Sequence, residues 1–166
     1  MSRLIILRGN SGSGKTTAAK ALQRKLGPNT MLISHDMIRM QMLYVSGKTG
    51  IEKSQPLMME LLKYGRRHSE MTILEGILDS VEYRELFECC LSEFGSENID
   101  AFYYDLPFEE TLIRHQTKPN RMDFGEAEMR RWWREKDYLS VIRETILTRE
   151  ISLDETVELI CQKIGQ

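Results

Sequence analysis

The chain predicts an α/β fold of three layers, a parallel sheet with helices on both faces. Three observations point there. Short apolar runs alternate with helical stretches along all 166 residues. Residues 9–16 read Gly-Asn-Ser-Gly-Ser-Gly-Lys-Thr, a full match to G-x-x-x-x-G-K-[ST], between the apolar run Leu4–Leu7 and a helical pattern from Thr17. A content of 41% hydrophobic and 29% charged residues is that of a globular chain, without repeats or low-complexity segments. The length suits a single domain over residues 1–166.

The elements follow in order. Residues 3–8 form a strand and 15–26 a helix, closed by Gly27-Pro28. Met31–Ser34 is a second strand and Asp36–Tyr44 a helix. Residues 46–50 read as a loop and 54–68 as a long helix, with Pro56 tolerated near its start. Met71–Leu74 is the third strand, and 81–94 a helix ended by Gly95. Ile99–Tyr104 is the fourth strand and 107–117 a helix. Lys118–Gly125 contains Pro, Asn and Gly and reads as a mobile loop. Residues 126–139 form a helix and 145–149 a short fifth strand. Ser152-Leu153-Asp154-Glu155 is a capping box that opens the last helix.

Composition narrows the function. A net charge of −2 gives no sign of a large nucleic-acid surface. No apolar run reaches the length of a membrane span. The apolar part of the N-terminus is four residues, better used as a strand than as a signal segment. Cys89, Cys90 and Cys161 make no metal or disulfide spacing and read as reduced thiols, so the cytoplasm is the expected compartment.

The Gly-rich loop has specific chemistry. Gly9, Gly12 and Gly14 allow a tight turn, so that the N–H groups of Asn10, Ser11, Ser13 and their neighbours can point at one phosphate chain. The helix start through Lys15, Thr16 and Thr17 adds favourable potential for an anion. Lys15 reaches β- and γ-phosphates, and the Thr16 hydroxyl holds Mg²⁺. The expected ligands are therefore ATP and Mg²⁺.

The end of the second strand reads His35-Asp36-Met37-Ile38-Arg39. Strand ends in such sheets face the ligand crevice. Asp36 can cap the next helix with its carboxylate at the mouth of the site, and Arg39 lies three residues on, on the same face. A carboxylate there can take a hydroxyl proton and the arginine can clamp the acceptor. The plainer alternative is an N-cap followed by a surface arginine. Glu75 follows the third strand as Thr72-Ile73-Leu74-Glu75-Gly76, placed to hold Mg²⁺ through water or to contact the acceptor. Asp79 is a weaker acid on the same loop, and Asp105 reads as a cap for the helix after Pro107.

The loop Gly9–Thr16 with Asp36-x-x-Arg39 resembles the small P-loop kinases, in particular the group of zeta toxins, chloramphenicol phosphotransferase and polynucleotide 5′-hydroxyl kinase. The resemblance implies a sheet of order 2-3-1-4-5, Asp36 as base and Arg39 at the acceptor. Zeta-like kinases carry a similar Glu-Gly after the third strand. Arg114-His115-Gln116-Thr117-Lys118-Pro119-Asn120-Arg121 resembles their lid, here about residues 114–130. By resemblance Arg114 lies near the adenine, while Lys118 or Arg121 reaches the transferring phosphoryl group. The implied reaction is ATP- and Mg²⁺-dependent phosphoryl transfer to a hydroxyl of a small molecule, such as a nucleoside, sugar or antibiotic. Alternatives are a polynucleotide or nucleotide-sugar kinase, toxin-like, and a nucleotide-binding ATPase module without an acceptor. A guanine-nucleotide switch lacks its Asn-Lys-x-Asp motif here. Acceptor identity and oligomeric state, monomer or homodimer, stay open.

Other signals carry less. Asp123-Phe124-Gly125 lacks the companion protein-kinase motifs. Trp132 and Trp133 point in different directions on a helix, so one is expected in the core. Met37, Met40, Met58 and Met59 are expected mostly as core filler, with Met37 and Met40 also able to line an acceptor pocket. His35, His68 and His115 form no metal set, and Arg130, Arg131 and Arg134 are expected to face solvent mostly.

Overall fold

Strand β1 (Arg3–Gly9) lies at the centre of a five-stranded parallel sheet in the computed structural model, which describes residues 1–165. The sheet order is β2-β3-β1-β4-β5, with β2 Thr30–Ser34, β3 Met71–Gly76, β4 Ile99–Tyr104 and β5 Glu144–Leu147. This is the order that the resemblance implied. The helices are α1 (Lys15–Leu26), α2 (His35–Met37), α3 (Gly47–His68), α4 (Arg84–Phe94), α5 (Phe108–Gln116), α6 (Glu126–Trp132) and α7 (Leu153–Ile164).

A strand points successive side chains to opposite faces, so β1 feeds two cores. Leu4 and Ile6 pack with Met58 and Leu62 of α3 and with Leu86, Phe87 and Phe94 of α4. Ile5 and Leu7 pack with Ala18, Ala19 and Leu22 of α1 and with Val157 and Ile160 of α7. Each such fully buried aliphatic side chain contributes about 1.5–3 kcal/mol. The near-continuous apolar run of β1 is what burial on both faces requires. The capping box of α7 is present: Ser152 Oγ accepts from Glu155 N–H at 3.2 Å, and Glu155 accepts from Ser152 N–H at 2.8 Å.

Several expected boundaries are corrected. Residues 47–50 belong to α3, so Pro56 is interior rather than near the start. Pro56 and Glu52, one turn before it, both lie on the exposed face of the helix, where a carbonyl without its usual partner is least costly. The helix expected over 36–44 is α2 followed by a π-helical turn at Ile38–Met42, ended before Tyr44, whose φ is +52°. The helix expected over 126–139 stops at Trp132, because residues 133–143 bond to other parts of the chain. β5 begins and ends earlier than expected. No described helix is long and apolar enough to cross a membrane.

Candidate active site

The strand register gathers the candidate residues at one end of the sheet. Glu75 is paired with Leu7 on one side and Ser34 on the other. The phosphate loop therefore leaves β1 beside the acid that ends β3, with the turn from β2 next to it.

The loop is closely packed. Gly12 has φ +81°, and a Cβ there would lie 2.5 Å from the Thr111 carbonyl oxygen at the start of α5, so no side chain fits. Lys15 is buried, and its ammonium donates to Asn10 O at 2.9 Å and Ser13 Oγ at 3.4 Å. Burial lowers its pKa to about 8, against the opposing pull of Glu75 and Asp36. The first-turn amides through Lys15, Thr16 and Thr17 have no intrahelical acceptor. Arg114 donates to Ser13 O at 2.8 Å and pairs with Glu110 at 2.9 Å, which sets it against the loop from the lid side.

Glu75 is buried, and its Oε1 accepts from Thr16 Oγ1 at 3.1 Å and from Ser34 Oγ at 2.6 Å. A carboxylate and a hydroxyl side by side fit Mg²⁺, which keeps several waters and phosphate oxygens and needs few protein ligands. Ser34 was not foreseen as part of this group. It also caps α2, accepting from Met37 N–H at 3.5 Å. Asp36 is therefore not the cap, contrary to expectation. With Ser34 in that role, the Asp36 side chain is 71% exposed, and the one ionisable partner within 4 Å among the described residues is His35, Nδ1 to Oδ1 3.8 Å.

His35 is buried on Gly76, where a Cβ would come within 2.5 Å of the His35 Cβ. Its Nε2 meets Tyr83 Oη at 2.6 Å, and its Nδ1 has no hydrogen-bond partner. Burial lowers its pKa to about 4 and pushes the Tyr83 phenol up. Arg39 lies against Gly50 of α3, its Nε buried without a partner and its guanidinium in no ion pair among the described residues. Around it Met37, Met40, Met42 and Tyr44 are exposed. Only Met58 of the four expected core methionines is fully buried, because the π-helical turn leaves Met37 and Met40 outside the sheet–helix layers.

The lid divides. Lys118 is half-buried; burial lowers its pKa against the opposing charges of Asp36 and Glu75. Arg121 is exposed, and its side chain makes no hydrogen bond or ion pair among the described residues. Phe124 stacks on buried His115 at 4.5 Å, and Nε2 of that histidine donates to the Phe124 carbonyl at 2.9 Å. Neither tryptophan is fully buried: exposed Trp132 packs on Phe124, and half-buried Trp133 packs on buried Phe108. Asp105 does not cap α5; it accepts from Lys136 and Tyr138 instead.

The segment after α6 is tied to the loop. The Asn10 side chain donates to Arg134 O at 2.6 Å and accepts from Arg134 N–H at 2.8 Å, so it faces the backbone of the lid exit. Arg134 is not a free surface cation, since its guanidinium pairs with Asp79 at 3.0 Å. Arg130 lies over the Phe108 ring at 4.1 Å.

The fold is that of P-loop kinases. It resembles an APS kinase of Mycobacterium tuberculosis solved with AMPPNP and APS (TM-score 0.69, 18% identity, 99% of this chain and 98% of that one). It also resembles a tunicamycin resistance protein of Deinococcus radiodurans (0.66, 19%, 99% and 96%) and a shikimate kinase of Acinetobacter baumannii (0.65, 19%, 99% and 93%). No curated protein matches the chain by sequence. The AAA domain family matches residues 4–142, and the chain belongs to that family.

Proposed function

We propose that this chain transfers a phosphoryl group from ATP, with Mg²⁺, to a hydroxyl of a small molecule such as a nucleoside, sugar or antibiotic. The observation that carries the reading is Asp36. It is an exposed carboxylate bound by no lysine or arginine among the described residues, close enough to Lys15 to oppose the fall of the lysine's pKa. A base placed beside a phosphate loop is what hydroxyl activation needs and what nucleotide binding alone does not. The APS kinase and the shikimate kinase with this fold are named for small-molecule acceptors, which supports the same class here.

ATP with Mg²⁺ would supply the electrophilic phosphoryl group. Lys15 and the amides from Gly9 to Thr17 hold phosphate oxygens, and Thr16 with Glu75 holds the metal. Arg39 orients the acceptor, and Asp36 takes the hydroxyl proton as the oxygen attacks. Arg114 supports the loop near the nucleotide. Of the lid cations, half-buried Lys118 feels the charges of Asp36 and Glu75 while Arg121 is exposed, and Lys118 takes the role of stabilising the transferring group.

The test is ADP release measured across a panel of hydroxyl compounds, with mass spectrometry of the products. Acceptor-stimulated release with a mass gain of one phosphoryl group is expected. ADP release that no compound stimulates moves the assignment to an ATPase module.

A further inference from the structure

Arg8 has no part in the reaction just described, yet it is the largest fully buried side chain. It belongs to β1, immediately before Gly9. A guanidinium has five N–H groups, and here they make five hydrogen bonds. Nε and Nη2 donate to Leu78 O at 3.0 and 2.9 Å. Nη2 also donates to Asp137 Oδ2 at 2.8 Å. Nη1 donates to Asp137 O at 2.9 Å and to Glu144 Oε1 at 2.8 Å. The Phe87 and Tyr103 rings lie 5.3 and 5.4 Å from its Cζ.

Each partner holds something further. Leu78 is a buried non-glycine residue at φ +45°, a strained backbone that persists only where its surroundings over-determine it. Asp137 accepts from both N–H and Oγ of Ser80, which adds the loop after β3 to the same node. Glu144 accepts from Leu139 N–H at 2.8 Å. The loop leads on to Tyr83, which meets His35 beside Asp36, and the lid exit leads back to Asn10 through Arg134.

The geometry points to Arg8 as a positioning residue for the acceptor side. It locks residues 77–83 and 133–139 into one clamp, so that the turn bearing Asp36 and the exit of the lid keep a fixed relation to the phosphate loop. It touches neither nucleotide nor acceptor, and it acts on transfer through the two segments it holds. This role rests on the phosphotransferase reading, but its physical core does not.

The test is Arg8→Lys in the full chain. Three N–H groups on one nitrogen cannot reach Leu78 O, Asp137 and Glu144 together. Amides of residues 78–82 and 134–139 are expected to exchange hydrogen at least about tenfold faster, both together, while β1, β3 and β4 keep their protection. The dissociation constant for AMPPNP should move by less than about threefold, and turnover at saturating ATP with the best acceptor of the panel should fall at least about tenfold. Asp137→Asn keeps the shape but removes one ion pair, so it should loosen the same two segments to a smaller degree, and it serves if Arg8→Lys does not fold. Native exchange in both segments overturns the proposal. So does loosening of one segment alone, or a uniform loss of protection through the sheet. Exchange is read without ATP or acceptor, so a failed acceptor panel and a failed clamp are separate results.

Discussion

Asp36 lies close enough to Lys15 to oppose the fall of the lysine's pKa, yet the surroundings of the two differ. Lys15 is buried, its ammonium held by the backbone and side chain of its own loop. Asp36 stands in solvent, next to a π-helical turn, an arginine with an unpartnered Nε, and exposed Met37, Met40 and Met42. The phosphate pole is finished before any ligand arrives, because triphosphate presents one geometry and the backbone can be fixed to it. The acceptor pole keeps unsatisfied groups and pliable side chains, which an acceptor must complete. The contrast locates the fixed half of the chemistry and the half that sets specificity.

Removing the finished pole should have the largest effect. Lys15→Ala is expected to lower turnover by on the order of 10³–10⁵-fold, the range lost with other phosphate-contacting cations, with the fold intact by circular dichroism. Near-native turnover would remove the phosphate-loop reading. Asp36→Asn should reduce kcat by about 10²–10⁴-fold with little change in AMPPNP affinity. Since Ser34 is the cap, the Asn variant should also keep its melting temperature; an unchanged kcat with a phosphorylated acceptor would strip Asp36 of its role.

The lid sharpens the comparison. Lys118→Ala should lower kcat by about 10²-fold, because its contact strengthens in the transition state. Arg121→Ala should change it by less than about tenfold, and Arg114→Ala should mainly weaken nucleotide binding through the loop carbonyl of Ser13. Reversal of the first two would make Arg121 the acting cation after lid movement.

A separate effect, on stability rather than on turnover, is one of pH. The unfolded chain binds a proton at His35 that the folded chain refuses, its pKa being lowered from 6.5 to about 4 by burial. Stability therefore rises with pH across that window and is lost as pH falls through it, by up to about 3 kcal/mol. His35→Gln should flatten this part of the melting-temperature profile. An unchanged slope would place the acid sensitivity elsewhere.

What could be read from the sequence was whatever depends on neighbours in the chain. The loop motif, the capping box at Ser152 and the Asp36-x-x-Arg39 spacing are local in the sequence, whereas the strand order came only from the resemblance to a known family. The pairing of Ser34 with Glu75 spans 41 residues, and that of Asn10 with Arg134 spans 124. No periodicity reports such pairs. The helix expected over 126–139 fails for the same reason: Arg134 has helical propensity enough, but its polar groups and those of Asp137 find partners far away in the chain.

The guanidinium in β1 also sets an order of events in folding. Its acceptors lie 70, 129 and 136 residues further along the chain. A chain still emerging from the ribosome has its central strand long before Glu144 exists. Sealing that strand early would bury an unpaired cation, which costs several kcal/mol. The sheet is therefore expected to close late and in a single cooperative step, and a nascent chain stopped before residue 137 should remain sensitive to protease even though it already contains four of the five strands.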